Sequence, residues 1–190
     1  MAWAPSVVWN DAEGQYYVFW ASRQYETSDP DHTGVANLDR IRYATTTDFV
    51  TFSPPEDYHA LLDTPLIDQE FQNLGDANSW VRFLKNETVN QVYQEITSDG
   101  LFGTWNRVPG YVRPESPVEG AASFASIEAP GTYHLLLDNY SEYVAYTATD
   151  IGSGVWDPAG FSNFPRGLKH GSVTPLTQAE YDAIAARYPA

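Results

Sequence analysis

The 190-residue sequence contains no cysteine and few basic residues. The absence of cysteine excludes disulfide frameworks, thiolate zinc sites and cysteine nucleophiles. Ten Lys and Arg residues stand against 25 Asp and Glu residues, which gives a formal net charge of −15 at pH 7. Because this charge repels phosphate backbones and anionic lipid headgroups, neither a nucleic acid nor a membrane is an expected partner.

Long apolar runs are also missing. No stretch approaches the ~20 apolar residues that cross a bilayer, and residues 1–20 lack the basic start and apolar stretch of a signal peptide. Hydrophobic residues nevertheless make up 43% of the sequence, which is enough for a folded core. The length fits one domain or two small ones, and extensive disorder is excluded.

Aromatic residues and turn-forming residues are abundant instead: 6 Trp, 13 Tyr, 9 Phe, 13 Gly and 13 Pro. Short β-prone runs recur between Gly, Pro, Asn or Asp, for example at residues 16–20, 41–45, 80–84, 92–96, 133–137 and 143–146. This pattern predicts an all-β fold. One helix is expected, at the C-terminus, where Thr177 and Glu180 have the spacing of a capping box and Tyr181, Ile184 and Ala185 share one face.

A repeat of about 50 residues organises the β-prone runs. A Ser/Thr-Asp pair recurs at Asp48, Asp99 and Asp150, and each pair precedes an aromatic residue, namely Phe52, Trp105 and Trp156. Units of this length with about four antiparallel strands are typical of β-propeller blades. We interpret the aspartates as structural, with the carboxylate accepting turn N–H groups and the following ring covering a blade interface.

The repeats predict a single, partial β-propeller domain over residues 1–190. The three units span approximately residues 3–54, 64–109 and 116–158, and residues 165–190 supply a closing strand and the helix. Propellers commonly have four to eight blades, so three blades leave apolar faces exposed. We expect either a longer protein or self-association through these faces. The opening Met1-Ala2-Trp3, with a strand beginning almost at once, favours a start codon inside a longer reading frame.

The segment Trp3-Ala4-Pro5 followed by residues 16–22 resembles glycoside hydrolase family 43. Further pieces agree in the family's order, at residues 42–49, 67–68, 83–87, 118–120, 135–138, 149–156, 170–173 and 177–181. The family consists of five-bladed propellers that act on arabinose- and xylose-containing polysaccharides. The resemblance therefore implies an incomplete propeller of this type, a carbohydrate ligand, and a secreted or extracellular location.

The resemblance also implies site residues. The family uses a general base, a general acid, and an aspartate that orients the acid and adjusts its pKa. Glu119 corresponds to the general acid and Asp68 to the modulating aspartate, so we expect Asp68 and apolar neighbours to raise the pKa of Glu119. His170 corresponds to a histidine near the propeller axis, where family members often hold a cation or an ordered water. No cofactor is required and no metal ligand set is recognised, but a structural cation near His170 stays open.

Two tryptophans are candidates for sugar contacts. Trp3 and Trp80 each lie at a strand start close to a candidate site residue, where a flat ring can stack on a sugar. Structural interpretations stand beside these roles: Glu119 and Asp68 as strand-entry carboxylates, and His170 as a half-buried donor to a carbonyl. Glu87 and Asp138 end strands and either line the channel or are solvated; we favour the solvated interpretation.

Departures from the family lower the expectation of activity. The family's general base lies in an Arg-Asp-Pro type segment before the Trp-Ala-Pro strand, so we expect this chain to lack it. Asp29-Pro30 lies in a later loop and does not replace that segment. Ser6 stands where the family has an acidic residue, and Ala121 where it has proline. We expect hydrolysis of arabinofuranosyl or xylosyl linkages with inversion when the domain is complete, and no turnover by this chain alone. The alternatives are a propeller that binds glycans without cleaving them, and a self-associating structural unit.

Overall fold

The computed structural model describes residues 1–162 and 164–188. In this part of the chain there are twelve strands, a 3-10 turn at Ile151–Ser153, and one helix, α1 (Gln178–Arg187). The strands are β1 (Trp3–Asn10), β2 (Gln15–Ser22), β3 (Arg40–Thr46), β4 (Glu56–His59), β5 (Leu66–Asn73), β6 (Trp80–Asn86), β7 (Gln91–Thr97), β8 (Asn106–Arg107), β9 (Glu119–Ala125), β10 (Tyr133–Asp138), β11 (Tyr143–Ala148) and β12 (Asp157–Pro158).

The strands form three antiparallel four-stranded sheets, each running in chain order: blade 1 (β1–β4), blade 2 (β5–β8) and blade 3 (β9–β12). The first strands of the blades are the inner ones, and β5 contacts β1 on one side and β9 on the other. Each blade is a meander, so every pairing is between neighbours in sequence. The prediction of an all-β, incomplete propeller with three blades is confirmed.

Two apolar cores hold the blades together. The core between blades 1 and 2 is rich in aromatic rings and contains Val8, Tyr17, Phe19, Ala21, Ile41, Leu66, Ile67, Phe71, Leu84 and Tyr93. The core between blades 2 and 3 contains Val81, Phe83, Val92, Val112, Val118, Ala121, Leu135, Leu137, Tyr146, Ala148, Ile151 and Trp156. The inner strands are thus fixed side by side by burial of apolar side chains on both faces of blade 2.

A buried polar bridge reinforces the second interface. The Trp156 indole N–H donates to Gln94 Oε1 over 2.8 Å, and Gln94 Nε2 donates to the Ile151 carbonyl over 2.7 Å. Trp156 is only 2% exposed. The predicted covering ring is confirmed for Trp156, and for Trp105, which packs against the first core, but it is wrong for Phe52, which is about half exposed.

The repeated aspartates have the structural role expected from the sequence. Asp48 Oδ1 accepts the N–H groups of Val50 and Thr51, both over 2.8 Å. Asp150 Oδ1 accepts the N–H of Gly152 over 3.1 Å, and Asp99 Oδ2 accepts the N–H of Thr104 over 3.3 Å. Each carboxylate therefore supports the turn that follows the third strand of its blade.

The predicted closing strand is wrong. Among the described residues between β12 and α1, the backbone is irregular and adds no strand to a sheet. This segment is tied to β11 of blade 3 by separate bonds instead: the Ala159 N–H donates to the Ala145 carbonyl, the Tyr143 N–H donates to the Leu168 carbonyl, and the Gly171 N–H donates to the Tyr143 hydroxyl. A few local bonds replace the ladder that a closing strand would need.

The C-terminal helix is capped as predicted. The Thr177 side chain accepts the Glu180 N–H, and Glu180 Oε2 accepts the Thr177 N–H over 2.8 Å. No residue of α1 is buried, and Tyr181 is 59% exposed, so its apolar face packs on nothing in the described part of the chain. No helix within the described residues has the length and apolar character needed to cross a membrane.

Candidate functional site

Each inner strand contains a β-bulge near its start. In each bulge two residues lie opposite one residue of the next strand, and the pairing register shifts at Trp3/Ser6 in β1, at Ile67/Glu70 in β5, and opposite Leu136/Asp138 in β9. The first bulged residues are Ala4, Asp68 and Gly120, with φ angles of 46°, 54° and 55°. Left-handed backbone at non-glycine residues is uncommon, and bulges of this kind re-aim side chains near functional sites.

The bulges of β5 and β9 bring the predicted catalytic carboxylates together with His170. Asp68 Oδ2 accepts the Gly120 N–H over 3.1 Å and lies 3.0 Å from His170 Nε2. Glu119 Oε1 lies 4.0 Å from the same histidine nitrogen. One side-chain atom from each of Asp68, Glu119 and His170 lies within 4.8 Å of the others. The three residues therefore form one compact cluster, here called the axial cluster.

Gly120 allows the histidine to enter this cluster. A Cβ atom built on Gly120 would lie 1.9 Å from His170 Cδ2, which is far inside van der Waals contact. The residue also has a positive φ of 55°, which a residue with a Cβ atom adopts only with strain. Both observations explain why the residue directly after Glu119 is a glycine.

Asp68 makes His170 a stronger base. The hydrogen bond to Asp68 raises the pKa of His170 above its ordinary value, while burial opposes this and the charges of Asp68, Glu119 and Asp138 add to it. The imidazole is about two-fifths exposed at the surface of the cluster. A protonated His170 therefore places a positive charge beside two carboxylates.

A buried lysine contacts Glu119 from the second strand of blade 2. Lys85 is 1% exposed, and its Nζ lies 2.6 Å from Glu119 Oε2 and 3.1 Å from Glu87 Oε2. The same ammonium donates to the Tyr140 hydroxyl over 2.8 Å. The interpretation of Glu87 as a solvated strand end is therefore wrong, and Lys85 and Tyr140 were not recognised from the sequence. The available signal was a lysine inside the otherwise apolar run of β6.

The expectation of a raised pKa for Glu119 is also wrong. Burial raises this pKa, but hydrogen bonds from Lys85 and Tyr140, together with the charges of Lys85 and His170, outweigh burial and lower it below its usual value. The sequence-based argument considered Asp68 and apolar neighbours and had no means of including Lys85. In this structure Glu119 is a carboxylate near neutral pH.

The axial cluster borders an open cavity of about 430 Å³. Trp3 lines this cavity and is 52% exposed, so its ring is available to a ligand. A smaller cavity of about 220 Å³ shares Asp68 and His170 and also borders Glu70. Trp80 does not join the cluster: it packs on Phe71 and lines a separate cavity of about 1070 Å³.

Residues 1–182 match a family model that is related to glycosyl hydrolase family 43 and described as "Probable glycosyl hydrolase domain". The chain belongs to this family. An alignment of 107 positions, which covers 52% of the chain, is also 36% identical to an α-L-arabinofuranosidase of Bifidobacterium longum subsp. longum, but it covers only 10% of that protein.

Solved structures of family 43 proteins resemble this family 43-related chain in fold. The exo-β-1,3-galactanase of Phanerochaete chrysosporium, determined with β-1,3-galactotriose, has a TM-score of 0.57 at 11% identity and matches 83% of this chain and 35% of its own length. A family 43 protein of Bacillus licheniformis has a TM-score of 0.56 at 15% identity over 90% of this chain and 34% of its own. The chain spans about a third of these structures, and the similarity to them concerns the fold alone.

Ser6 and Ala121, the two residues that depart from the family pattern, each have a defined place in the structure. Ser6 Oγ donates to Glu70 Oε2 over 2.8 Å, which links the inner strands of blades 1 and 2. Burial raises the pKa of Glu70 to about 7, with the bond from Ser6 opposing it. The serine thus supports a carboxyl group on the neighbouring strand of this family 43-related domain. Ala121 is buried in the core between blades 2 and 3.

The axial cluster is compatible with a cation but is not evidence for one. Glu119 has Lys85 as its cationic partner, and Asp68 has His170. The cation expected near His170 stays a prediction.

Proposed function

We propose that this chain carries the acid half of a glycoside hydrolase active site for arabinose-, xylose- or galactose-containing glycans. The convergence of Asp68 and Glu119, from adjacent inner strands, beside an open cavity with an exposed Trp3 carries this proposal. Glu119 gives its proton to the leaving oxygen, and Asp68 orients the acid. We assign no general base among the residues that the structure describes, so the acid half is tested by itself.

Inverting hydrolysis sets the geometry that the complete site needs. The base must lie about 6.5–9.5 Å from Glu119, so that a water fits on the face of the sugar opposite the leaving group. Trp3 stacks on the apolar face of the sugar and holds the anomeric carbon between acid and water. Glu119 must be protonated when the glycosidic oxygen arrives, so sugar binding must weaken its contact with Lys85.

A small anion tests the proposal by replacing the missing half of the site. With a phenyl glycoside and azide, the azide forms a bond to the anomeric carbon as the glycosidic C–O bond breaks, and Glu119 protonates the departing phenolate oxygen. We expect no phenol release by the chain alone, and release of phenol with formation of a glycosyl azide of inverted configuration when azide is present. Phenyl α-L-arabinofuranoside, β-D-xyloside and β-D-galactoside cover the three sugar classes.

Glu119→Gln is the decisive variant in this assay, because it keeps the shape of the side chain and removes the proton. It should abolish azide-dependent release, whereas Glu142→Gln, at an exposed turn, should not change it. Hydrolysis without azide that depends on Glu119 would contradict the missing base. Absence of product with every sugar and azide would contradict the acid role.

Binding without cleavage is a second candidate function. The ion pair between Lys85 and Glu119 favours it, because an ionised carboxylate accepts hydrogen bonds from sugar hydroxyls but cannot donate a proton. Calorimetric titration with arabino-, xylo- and galacto-oligosaccharides separates the candidates. Saturable binding that Glu119→Gln weakens, with no azide product, supports binding alone.

A second copy of the chain is the partner that we propose for the open side of the propeller. Val7 and Trp9 of β1 are 47% and 45% exposed, and they line the cavity of about 1070 Å³ together with Phe124 of blade 3. Apolar side chains of this size are usually covered in stable proteins. Sedimentation at several concentrations should give dimers that Trp9→Gln dissociates; a strict monomer would contradict this. A secreted location stays a proposal that rests on the family.

A further inference from the structure

We propose that Lys85 is the positioning residue for Glu119, holding the carboxylate in the axial cluster and releasing it when a sugar binds. The catalytic part of this inference rests on the proposed acid role of Glu119. The contact itself can be tested without any activity.

The burial of Lys85 carries the first step of the argument. An ammonium group that is 1% exposed loses its hydration, and this cost must be offset by specific partners. Most strand lysines avoid the cost by extending their long side chains to solvent. Lys85 instead points inward from β6 towards the inner strand of blade 3.

The partners of Lys85 carry the second step. Its three ammonium protons match three acceptors: Glu119 at 2.6 Å, Tyr140 at 2.8 Å and Glu87 at 3.1 Å. Glu119 is the first residue of β9 in blade 3, and Glu87 follows β6 in blade 2. The lysine therefore links blade 2 to the start of β9. A fully bonded ammonium is a rigid anchor, and it fixes the direction of the Glu119 side chain.

The competition between the two glutamates carries the third step. Lys85 already contacts Glu87, so a small movement of Nζ towards Glu87 frees Glu119 without leaving the ammonium unpaired. A sugar hydroxyl or glycosidic oxygen arriving in the cavity competes for the same carboxylate. Lys85 thereby keeps Glu119 ionised while the site is empty. When a sugar occupies the site, Glu119 is released and can take up a proton.

Several charged and titratable groups act on Glu119 besides Lys85. Tyr140 after β10 and His170 in the C-terminal segment act on its pKa. Asp68 in β5 and Glu87, which follows β6, are the neighbouring carboxylates, and Asp138 acts on His170. Lys85 and His170 favour the carboxylate, while Asp68 and Glu87 oppose it. Burial raises the pKa of Glu119, and Lys85 is the first cause that lowers it.

The lysine content of the chain makes a direct experiment feasible. Lys85 and Lys169 are its two lysines, so nitrogen-15 lysine labelling gives two side-chain ammonium signals. Lys169 is exposed and donates to the Tyr140 carbonyl, so its signal is identified by Lys169→Arg, which removes it. We expect the Lys85 signal to persist at neutral pH because burial slows proton exchange, and to shift on acidification with the same midpoint as the Glu119 carboxyl carbon. In Glu119→Gln this inflection should disappear, whereas Glu142→Gln, at an exposed turn, should leave it unchanged.

Two substitutions test the role of the charge. Lys85→Met should raise the Glu119 midpoint by about 1–3 pH units, the range expected for loss of an adjacent opposite charge. Lys85→Arg keeps the charge and should restore a midpoint close to that of the unmodified chain. Circular dichroism establishes that each variant is folded. If Lys85→Met does not fold, the two ammonium signals and the Glu119→Gln spectrum still decide the question.

The outcomes separate this inference from the proposed function. A Glu119 midpoint unchanged in folded Lys85→Met, or a Lys85 signal that does not follow Glu119, would overturn the positioning role. Coupled titration without any azide-dependent product would support the lysine contact and contradict the glycosidase. When product forms, Lys85→Met should move the alkaline limb of its pH profile to higher pH, because Glu119 acts in its protonated form, and a profile that does not move would also overturn the inference.

Discussion

His170 lies 3.0 Å from Asp68 although 102 residues separate them in the sequence. This contact joins the irregular C-terminal segment to the bulge of β5. Gly120 lies directly against the histidine ring, so three separate parts of the chain meet at one point. The site therefore depends on blade packing and on the C-terminal segment together.

Asp68→Asn should lower the pKa of His170, because it removes the carboxylate that stabilises the imidazolium while leaving the ring partly buried. Proton NMR titration of the ring signals measures the change. Asp31→Asn, next to the exposed His32, is the matched control and should leave His170 unchanged. An unchanged His170 midpoint in Asp68→Asn would contradict the contact.

The same contact predicts the sign of a pH effect on stability. Since the folded-state pKa of His170 is raised, its stabilising contribution is complete below the unfolded value of about 6.5 and is lost as the pH rises through the folded value. The unfolding free-energy difference between the unmodified chain and His170→Asn should therefore be larger at pH 5.5 than at pH 9. A difference that grows with pH would have the wrong sign. Urea unfolding at both pH values measures it.

Gly120→Ala should destabilise the chain more than the same change at another positive-φ glycine. Gly14 has a φ of 65° and no atom within 4 Å of the position that a Cβ would occupy, so Gly14→Ala reports the backbone strain alone. The clash with His170 should add about 1–3 kcal/mol in Gly120→Ala. Chemical unfolding of both variants gives the difference, and equal losses would show that the histidine does not occupy this position.

Trp156→Phe should cost about 1–3 kcal/mol, because it leaves the Gln94 side chain without its donor inside the core between blades 2 and 3. Trp9→Phe is the matched control, since the Trp9 indole bonds to Asp11 at the surface and its loss should cost less than about 0.5 kcal/mol. Thermal and urea unfolding give both values. Similar effects would mean that the bridge contributes little to this interface.

Thr177→Ala should unfold the C-terminal helix locally without changing the stability of the blades. The substitution removes a capping box worth about 0.5–2 kcal/mol, but α1 buries no side chain. Hydrogen exchange should become faster in residues 178–187, and the main unfolding midpoint should stay constant. A lower midpoint would show that the helix packs against the domain.

Local patterns were sufficient to predict most of the fold. The 51-residue interval between Asp48, Asp99 and Asp150 reflects one turn per blade, and the alternating β-prone runs give the strands. The capping box at Thr177 is likewise local. The closing strand was wrong because that segment is held by the Tyr143 hydroxyl and a few backbone bonds, which no periodicity reveals.

The site was only partly predictable for a related reason. Family resemblance located Asp68, Glu119 and His170, which the structure brings together. Lys85 of blade 2 contacts Glu119 of blade 3 across the interface between these two blades. The bulges that permit this contact change the register of the inner strands. The sign of the Glu119 pKa change depends on that lysine, so an argument from neighbouring residues could not obtain it.

Saccharide titration followed by NMR tests the central claim most directly. Arabino-, xylo- or galacto-oligosaccharide is added while the Lys85 ammonium and His170 ring signals are recorded. The account predicts that both signals shift with one dissociation constant, and that Glu119→Gln weakens binding about tenfold, or 1.4 kcal/mol. Saturable binding that moves neither signal, or no binding by any of the three sugar classes, would contradict the account.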